Sequence, residues 1–248
     1  MKKHIPNILT LLNLFCGVIA TILAVQGHLI FAAYFMFAGI FFDFFDGLAA
    51  RLLKVQSELG LQLDSLADVV TSGVVPGIVM FQLFNMSSSN YSWAAPEMES
   101  GFNFSALSLF GIIITLGAAY RLAKFNIDED QSDSFIGLPT PANALLILSL
   151  PLILEFQENA FLSNLILNKW FLIIVTIIST YMMNARITLF ALKFKTWGFK
   201  ENSIRYVFLV LSAILIGLLK YAAIPVIIFL YVLFSIVVSY QKKSKPAA

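Results

Sequence analysis

The chain has 248 residues, 59% of them hydrophobic and only 12% charged, with a net charge of +2 and a mean hydropathy of +0.87. A soluble domain carries about twice that charged fraction, so a soluble globular fold is excluded, and the lack of short alternating segments excludes a transmembrane barrel. One cysteine, Cys16, permits no intrachain disulfide, and His4 and His28 stand alone at segment ends, so no thiolate or imidazole metal cluster is expected.

Apolar runs predict eight helical segments, at about 8–26, 28–53, 62–85, 104–125, 141–156, 169–192, 204–219 and 222–240. Most approach the roughly 20 residues that cross a bilayer core. The fifth is short, and the last two are parted only by Lys220 and its neighbours. The expected class is therefore an all-α polytopic membrane protein of about eight transmembrane helices, six at the fewest. The first run has only Lys2 and Lys3 before it and no small-residue cleavage site after it, so it reads as a retained span. No internal repeat is evident. The chain reads as one transmembrane domain, 1–248, with a motif-bearing core at about 5–192 and a helical hairpin at about 203–240.

Basic residues set the orientation. With the N-terminus inside, Lys2, Lys3, Arg51, Lys54, Arg121, Lys124, Arg186, Lys193, Lys195, Lys200, Arg205, Lys242, Lys243 and Lys245 all fall on the cytoplasmic side. Only Lys169 and Lys220 fall outside. The loop at about 86–103 holds Glu97 and Glu99 and no Lys or Arg, which suits the outer face. Both termini are expected in the cytoplasm, and the protein in the cytoplasmic membrane.

Four aspartates interrupt the apolar runs. A charged carboxylate near the bilayer centre costs about 2.5–3.5 kcal/mol, so four of them need compensation. Asp43, Asp46, Gly47 and Ala50 share one face of the second segment, and Gly60, Asp64 and Asp68 share one face of the third. The two segments run antiparallel, so both carboxylate pairs reach one cytoplasmic pocket. Four negative charges balance two divalent cations. Ligation by oxygen alone points to Mg²⁺ or Mn²⁺, and a two-metal clamp suits phosphoryl-type displacement. Asp128, Glu129, Asp130 and Asp133 crowd one polar loop and read as a solvated face. A cation-coupled transporter would also carry intramembrane carboxylates. It would leave the Gly-Ala-Arg set unexplained, and the paired broken helices of transporters are absent from the pattern.

The order Asp43-x2-Asp46-Gly47-x2-Ala50-Arg51-x8-Gly60-x3-Asp64-x3-Asp68 resembles the signature of the CDP-alcohol phosphatidyltransferases at every specified position. The resemblance implies that Asp43, Asp46, Asp64 and Asp68 hold two metal ions. It implies further that Gly47, Ala50, Arg51 and Gly60 line the CDP site, that Asp68 doubles as general base, and that the protein is a homodimer. Over about residues 5–145 the chain is most similar to the serine branch, the CDP-diacylglycerol–serine O-phosphatidyltransferases. The stretches concerned are Ile5-Pro6-Asn7 with Thr10 and Asn13, Phe42–Gly47, Leu63–Asp68 followed by Gly73 and Pro76, Arg121–Asn126 and Phe135–Pro141. Lys124 stands where that branch usually has arginine, and Val70-Thr71-Ser72-Gly73 replaces its usual Val-Ser-Phe-Gly. The implied reaction takes CDP-diacylglycerol and L-serine to phosphatidylserine and CMP. Glycerol 3-phosphate or inositol phosphate would be the acceptor in a neighbouring branch, for which Lys193, Lys195, Lys200 and Arg205 offer basic charge. Arginine grips a carboxylate through two parallel hydrogen bonds. Arg121, on the same membrane side as the aspartates, is the first expectation for the serine carboxylate, and Arg186 the second.

Overall fold

The computed structural model describes residues 4–88, 105–127, 135–189 and 198–243. The expected outer loop with Ser89, Glu97 and Glu99, the acidic loop at 128–133, and Lys193 and Lys195 lie outside these residues. The elements in order are α1 (Ile5–Val25), α2 (Leu29–Leu53), α3 (Glu58–Asp68), a π-helical segment (Val69–Val74) and α4 (Val75–Ser88). A 3₁₀ turn (Ala106–Ile112) then leads into α5 (Ile113–Ile127). After these come β1 (Phe135–Ile136), α6 (Thr140–Phe156), α7 (Ala160–Ile166), α8 (Lys169–Asn184), β2 (Thr188–Leu189), α9 (Phe199–Leu219) and α10 (Ala223–Lys243).

The helices are patterned inside out. In α1 the buried positions are Pro6, Thr10, Asn13, Cys16, Gly17, Ala20 and Ala24, a stripe of small and polar residues. The opposite face exposes Ile8, Leu11, Phe15, Val18, Ile22 and Val25. In water this arrangement would be unstable. In lipid the tails solvate the large apolar face, and small residues let the helix backbones approach closely. The same logic packs α1 on α2, whose buried stripe runs Leu29, Ala32, Ala33, Met36 and Gly39. Both helices also approach the π segment closely: a Cβ at Gly17 would lie 2.5 Å from Thr71 Oγ1, and one at Gly39 would lie 2.8 Å from Thr71 Cγ2.

Among the described residues, five helical stretches are long and apolar enough to cross a membrane, and a sixth if α7 and α8, bent by 64°, form one span; α6 is a shorter apolar helix. The last of these, Asn202–Val237, folds back at Lys220, whose φ is 51°. Phe208 of α9 meets the rings of both Tyr231 and Phe234 of α10, which requires an antiparallel hairpin. The all-α polytopic membrane class stands, with one two-residue strand pair, Phe135–Leu189 and Ile136–Thr188, as its only sheet among the described residues.

Some boundaries differ from the sequence expectation. The third segment starts at Glu58, because the Ser57 side chain accepts a hydrogen bond from Gly60 N and caps the helix there. It continues to Ser88 through the π segment. The apolar pattern carries the sixth segment to 192, but α8 ends at Asn184, and the chain then leaves the helix to pair with β1. Asn168 caps α8 through Trp170 N and Phe171 N, and Asn159 caps α7 through Phe161 N and Leu162 N.

Candidate active site

The connection between α2 and α3 is short and capped at both ends. Lys54 takes a left-handed conformation (φ 55°), with Val55 N bonded to Ala50 O and Lys54 N to Arg51 O, which closes α2. Ser57 opens α3 three residues later. This tight reversal holds the aspartates of one helix against those of the next. Asp43, Asp64 and Asp68 each place a carboxylate oxygen within 4.8 Å of the others. Three like charges at that range repel strongly in a low-dielectric setting. A cation between them removes the repulsion, and an all-carboxylate donor set fits a hard divalent ion. The residues present therefore fit a metal.

Asp46 stands apart from this triad. Its carboxylate is buried and accepts a hydrogen bond from Thr10 Oγ1 at 2.5 Å. The expected set of four is thus brought to one end of two helices, but only three of its members converge within the 4.8 Å group.

The first helix supplies what the motif alone does not reveal. Asn13 is fully buried, and its Nδ2 lies 3.4 Å from Asp43 Oδ1 and 3.4 Å from Asp68 Oδ1. Its Oδ1 accepts from Thr71 Oγ1 at 2.8 Å. The hydroxyl thereby fixes the amide with its nitrogen toward the carboxylates. Thr10 and Asn13 are visible in the sequence as polar residues three apart in an apolar run, yet spacing within α1 gives no sign of which aspartates they meet. The π segment begins directly after Asp68. Pro76 has no N–H to offer the carbonyl of Ser72, and Thr115 Oγ1 donates to Gly73 O at 3.0 Å. Gly73 and Pro76 are the readable signal for this irregular turn. Ser72 is buried, and its hydroxyl has no partner among the described residues.

The residues expected to line a nucleotide site lie around the same end of α2 and α3. Nothing lies within 4 Å of where a Cβ of Gly47 would sit, so the helix surface is open there. Arg51 is exposed and donates from Nε to Gly47 O at 2.9 Å. Ala50 is half-buried one turn after Gly47. Gly60 faces Ser57 and Asn7, with Asn7 Oδ1 3.4 Å from a Cβ built on it.

Arg121 stands in the second half of α5, which packs against the π segment that follows Asp68. Its Nε is buried and has no hydrogen-bond partner among the described residues. With Lys124, Ile136, Met183 and Asn184 it lines a small pocket, partly open to solvent. That pocket exists because the chain after Gly137 returns onto the end of α8, with Gly137 N bonded to Ile187 O and Leu138 N to Met182 O. Gly137 is required there: its φ is +74°, and a Cβ would collide with the carbonyl of Met183. A pair of hydrogen bonds between Ser65 and Asn126 ties α3 to α5, next to Asp64 on one side and beyond Arg121 on the other. Arg186 lies past the end of α8 and is exposed, and it does not line this pocket.

The model of the CDP-alcohol phosphatidyltransferase family matches residues 3–182. A Bacillus subtilis protein is 32% identical over 160 residues, which cover 64% of this chain and 80% of its own length. One from Methanocaldococcus jannaschii is 34% identical over 163 residues, covering 65% and 68%. One from Helicobacter pylori strain J99 is 32% identical over 145 residues, and here the match spans 57% of this chain and 54% of the relative. Each of the three carries the name CDP-diacylglycerol–serine O-phosphatidyltransferase.

Proposed function

This chain belongs to the CDP-alcohol phosphatidyltransferase family, and from that premise we propose that it moves the phosphatidyl group of CDP-diacylglycerol onto the hydroxyl of L-serine, releasing phosphatidylserine and CMP. The observation that carries this reading is the carboxylate triad of Asp43, Asp64 and Asp68 beside a pocket lined by Arg121. The names of its relatives favour serine, and a buried guanidinium nitrogen without a partner among the described residues favours an acceptor that bears an anionic group.

Asp43, Asp64 and Asp68, with Asp46 beside them, would hold the ions. When bound there, two Mg²⁺ or Mn²⁺ ions supply the positive charge that a pyrophosphate and a departing CMP require. Gly47 leaves the α2 surface bare for the nucleotide, with Ala50, Arg51 and Gly60 around it. Asp68 accepts the proton of the serine hydroxyl as that oxygen forms a bond to the lipid-linked phosphorus. The bond from phosphorus to the oxygen of CMP breaks, and CMP leaves with that oxygen. Asn13 holds Asp43 and Asp68 in place during this step. The lipid tails lie among the exposed apolar faces of the helices, so donor and acceptor meet at the membrane surface.

The test is purified protein with CDP-diacylglycerol and a panel of acceptors, scoring CMP. Serine should support release. Release with glycerol 3-phosphate or inositol phosphate and none with serine would place the chain in another branch of the same family. We further propose that the chain is one catalytic domain, works as a homodimer in the cytoplasmic membrane, and faces its site and both termini to the cytoplasm. Cysteines at Ser57 and Ser132 should then react with an impermeant thiol reagent only from the cytoplasmic side, and one at Ser89 only from the outer side. Labelling of Ser57 and Ser89 from one side would overturn the arrangement of α2 and α3 as two crossings.

A further inference from the structure

A second residue lining the pocket beside Arg121 has a buried polar atom with no partner among the described residues. Asn184 ends α8, and its Nδ2 donates to Gly117 O at 3.1 Å and to Thr180 O at 3.0 Å. Both partners are carbonyl oxygens, which can only accept. The amide is therefore fixed with its nitrogen toward the helices, and no flip is open to it. Its Oδ1 must point the other way, where it is buried and has no donor among the described residues. Asn184 lines the same pocket as Arg121, whose Nε–H is likewise buried without an acceptor among them. The two groups do not bond to each other. An unmet donor and an unmet acceptor thus sit buried in the walls of one small space, and each costs stability while it stays unmet.

Resting on the reading of serine as acceptor, we propose that Asn184 Oδ1 receives the ammonium group of the acceptor amino acid and selects against acceptors that lack one. An α-amino acid carries a carboxylate and an ammonium on one carbon, which match Arg121 and Asn184 respectively. A phosphorylated alcohol satisfies Arg121 and Lys124 through its phosphate, but it offers Asn184 only a neutral hydroxyl, a weaker partner than a charged ammonium. An acceptor with no donor at that place leaves the carbonyl oxygen unpaired, and a site built to hydrogen-bond a group loses more from its absence than an apolar pocket does.

The experiment measures L-serine against 3-hydroxypropanoate, which keeps the hydroxyl and the carboxylate but has no ammonium. Affinities of both are read from CMP release and from competition, in the wild type and in Asn184→Leu. In the wild type serine should bind about tenfold or more better than 3-hydroxypropanoate. In Asn184→Leu that ratio should fall toward one, through a raised KM for serine, with kcat at saturating serine and the KM for the CDP-lipid nearly unchanged. Equal weakening of both ligands, or an unchanged ratio, overturns the assignment and leaves Asn184 a packing residue. If the leucine variant does not fold, the wild-type ratio carries the test, and a ratio near one overturns the proposal. CMP release with glycerol 3-phosphate but not with serine defeats the acceptor reading itself, and the assignment of Asn184 falls with it. An enzyme active on serine with an unchanged ratio defeats the assignment of Asn184 alone.

Discussion

Asp43→Asn and Asp64→Asn should each lower CMP release by on the order of a hundredfold or more, and a chelator should abolish it in the wild type. Asparagine keeps the shape of aspartate and removes its charge, so the helix packing is preserved while one anionic ligand is lost. The triad has its oxygens within 4.8 Å of one another, and no single replacement leaves a comparable set. Asp68→Asn should also abolish release, with some CDP-lipid binding retained, because it removes the proton acceptor as well as a ligand. Titration with Mn²⁺, followed by CMP release and by thermal unfolding of the detergent-purified protein, separates the two effects. The ligand variants should lose the thermal stabilisation that Mn²⁺ confers on the wild type. Full turnover in excess chelator, with metal depletion verified, would sink the two-ion reading.

The second large effect is expected at Arg121. Losing one partner of a charge-assisted hydrogen bond costs on the order of 1.5–3 kcal/mol, which corresponds to roughly tenfold or more in apparent serine affinity. Arg121→Ala should therefore raise the KM for serine by at least that factor, with the CDP-lipid dependence less affected. Arg121→Lys keeps the charge but loses the planar fork, and it should be impaired as well. A raised requirement for CDP-lipid with an untouched serine response would assign Arg121 to the donor side. The neighbouring Lys124, which lines the same pocket, offers a second positive charge but no fork.

The acidic cluster is legible in the spacing of Asp43, Asp46, Asp64 and Asp68, because helical periodicity converts separations of three and four residues directly into a shared face. The partners of those carboxylates are not legible in the same way. Asn13 reaches Asp68 across 55 positions of sequence, and Thr71 reaches Asn13 across 58. Such contacts depend on how close α1 comes to the π segment, which the glycines at 17 and 39 permit and no local pattern announces. Asp46 shows the limit of face-sharing: it lies one turn from Asp43, yet its carboxylate is held by Thr10. The proposed acceptor pocket is half readable. Arg121 follows from its motif and its place in the chain. Asn184 does not, because its neighbourhood is made by the return of Phe135–Leu138 onto the end of α8. The same return overrides an apolar run that extends past Ile187, which is why the predicted span at 169–192 is too long. The hairpin at Lys220 is readable from one charge between two apolar runs, since both flanks are long enough to cross on their own.

The wide turn at Val69–Val74 divides one continuous rod into two phases. A π segment accommodates an extra residue in a helix without breaking it, and one residue corresponds to about 100° of rotation. The first part of the rod is thus set to turn Asp64 and Asp68 toward Asp43, while the second part turns Val75, Val79 and Leu83 into the interior. The extra residue locks these two settings to each other. Removing it would rotate one end against the other by about 100° while shortening the rod by only about 1.5 Å.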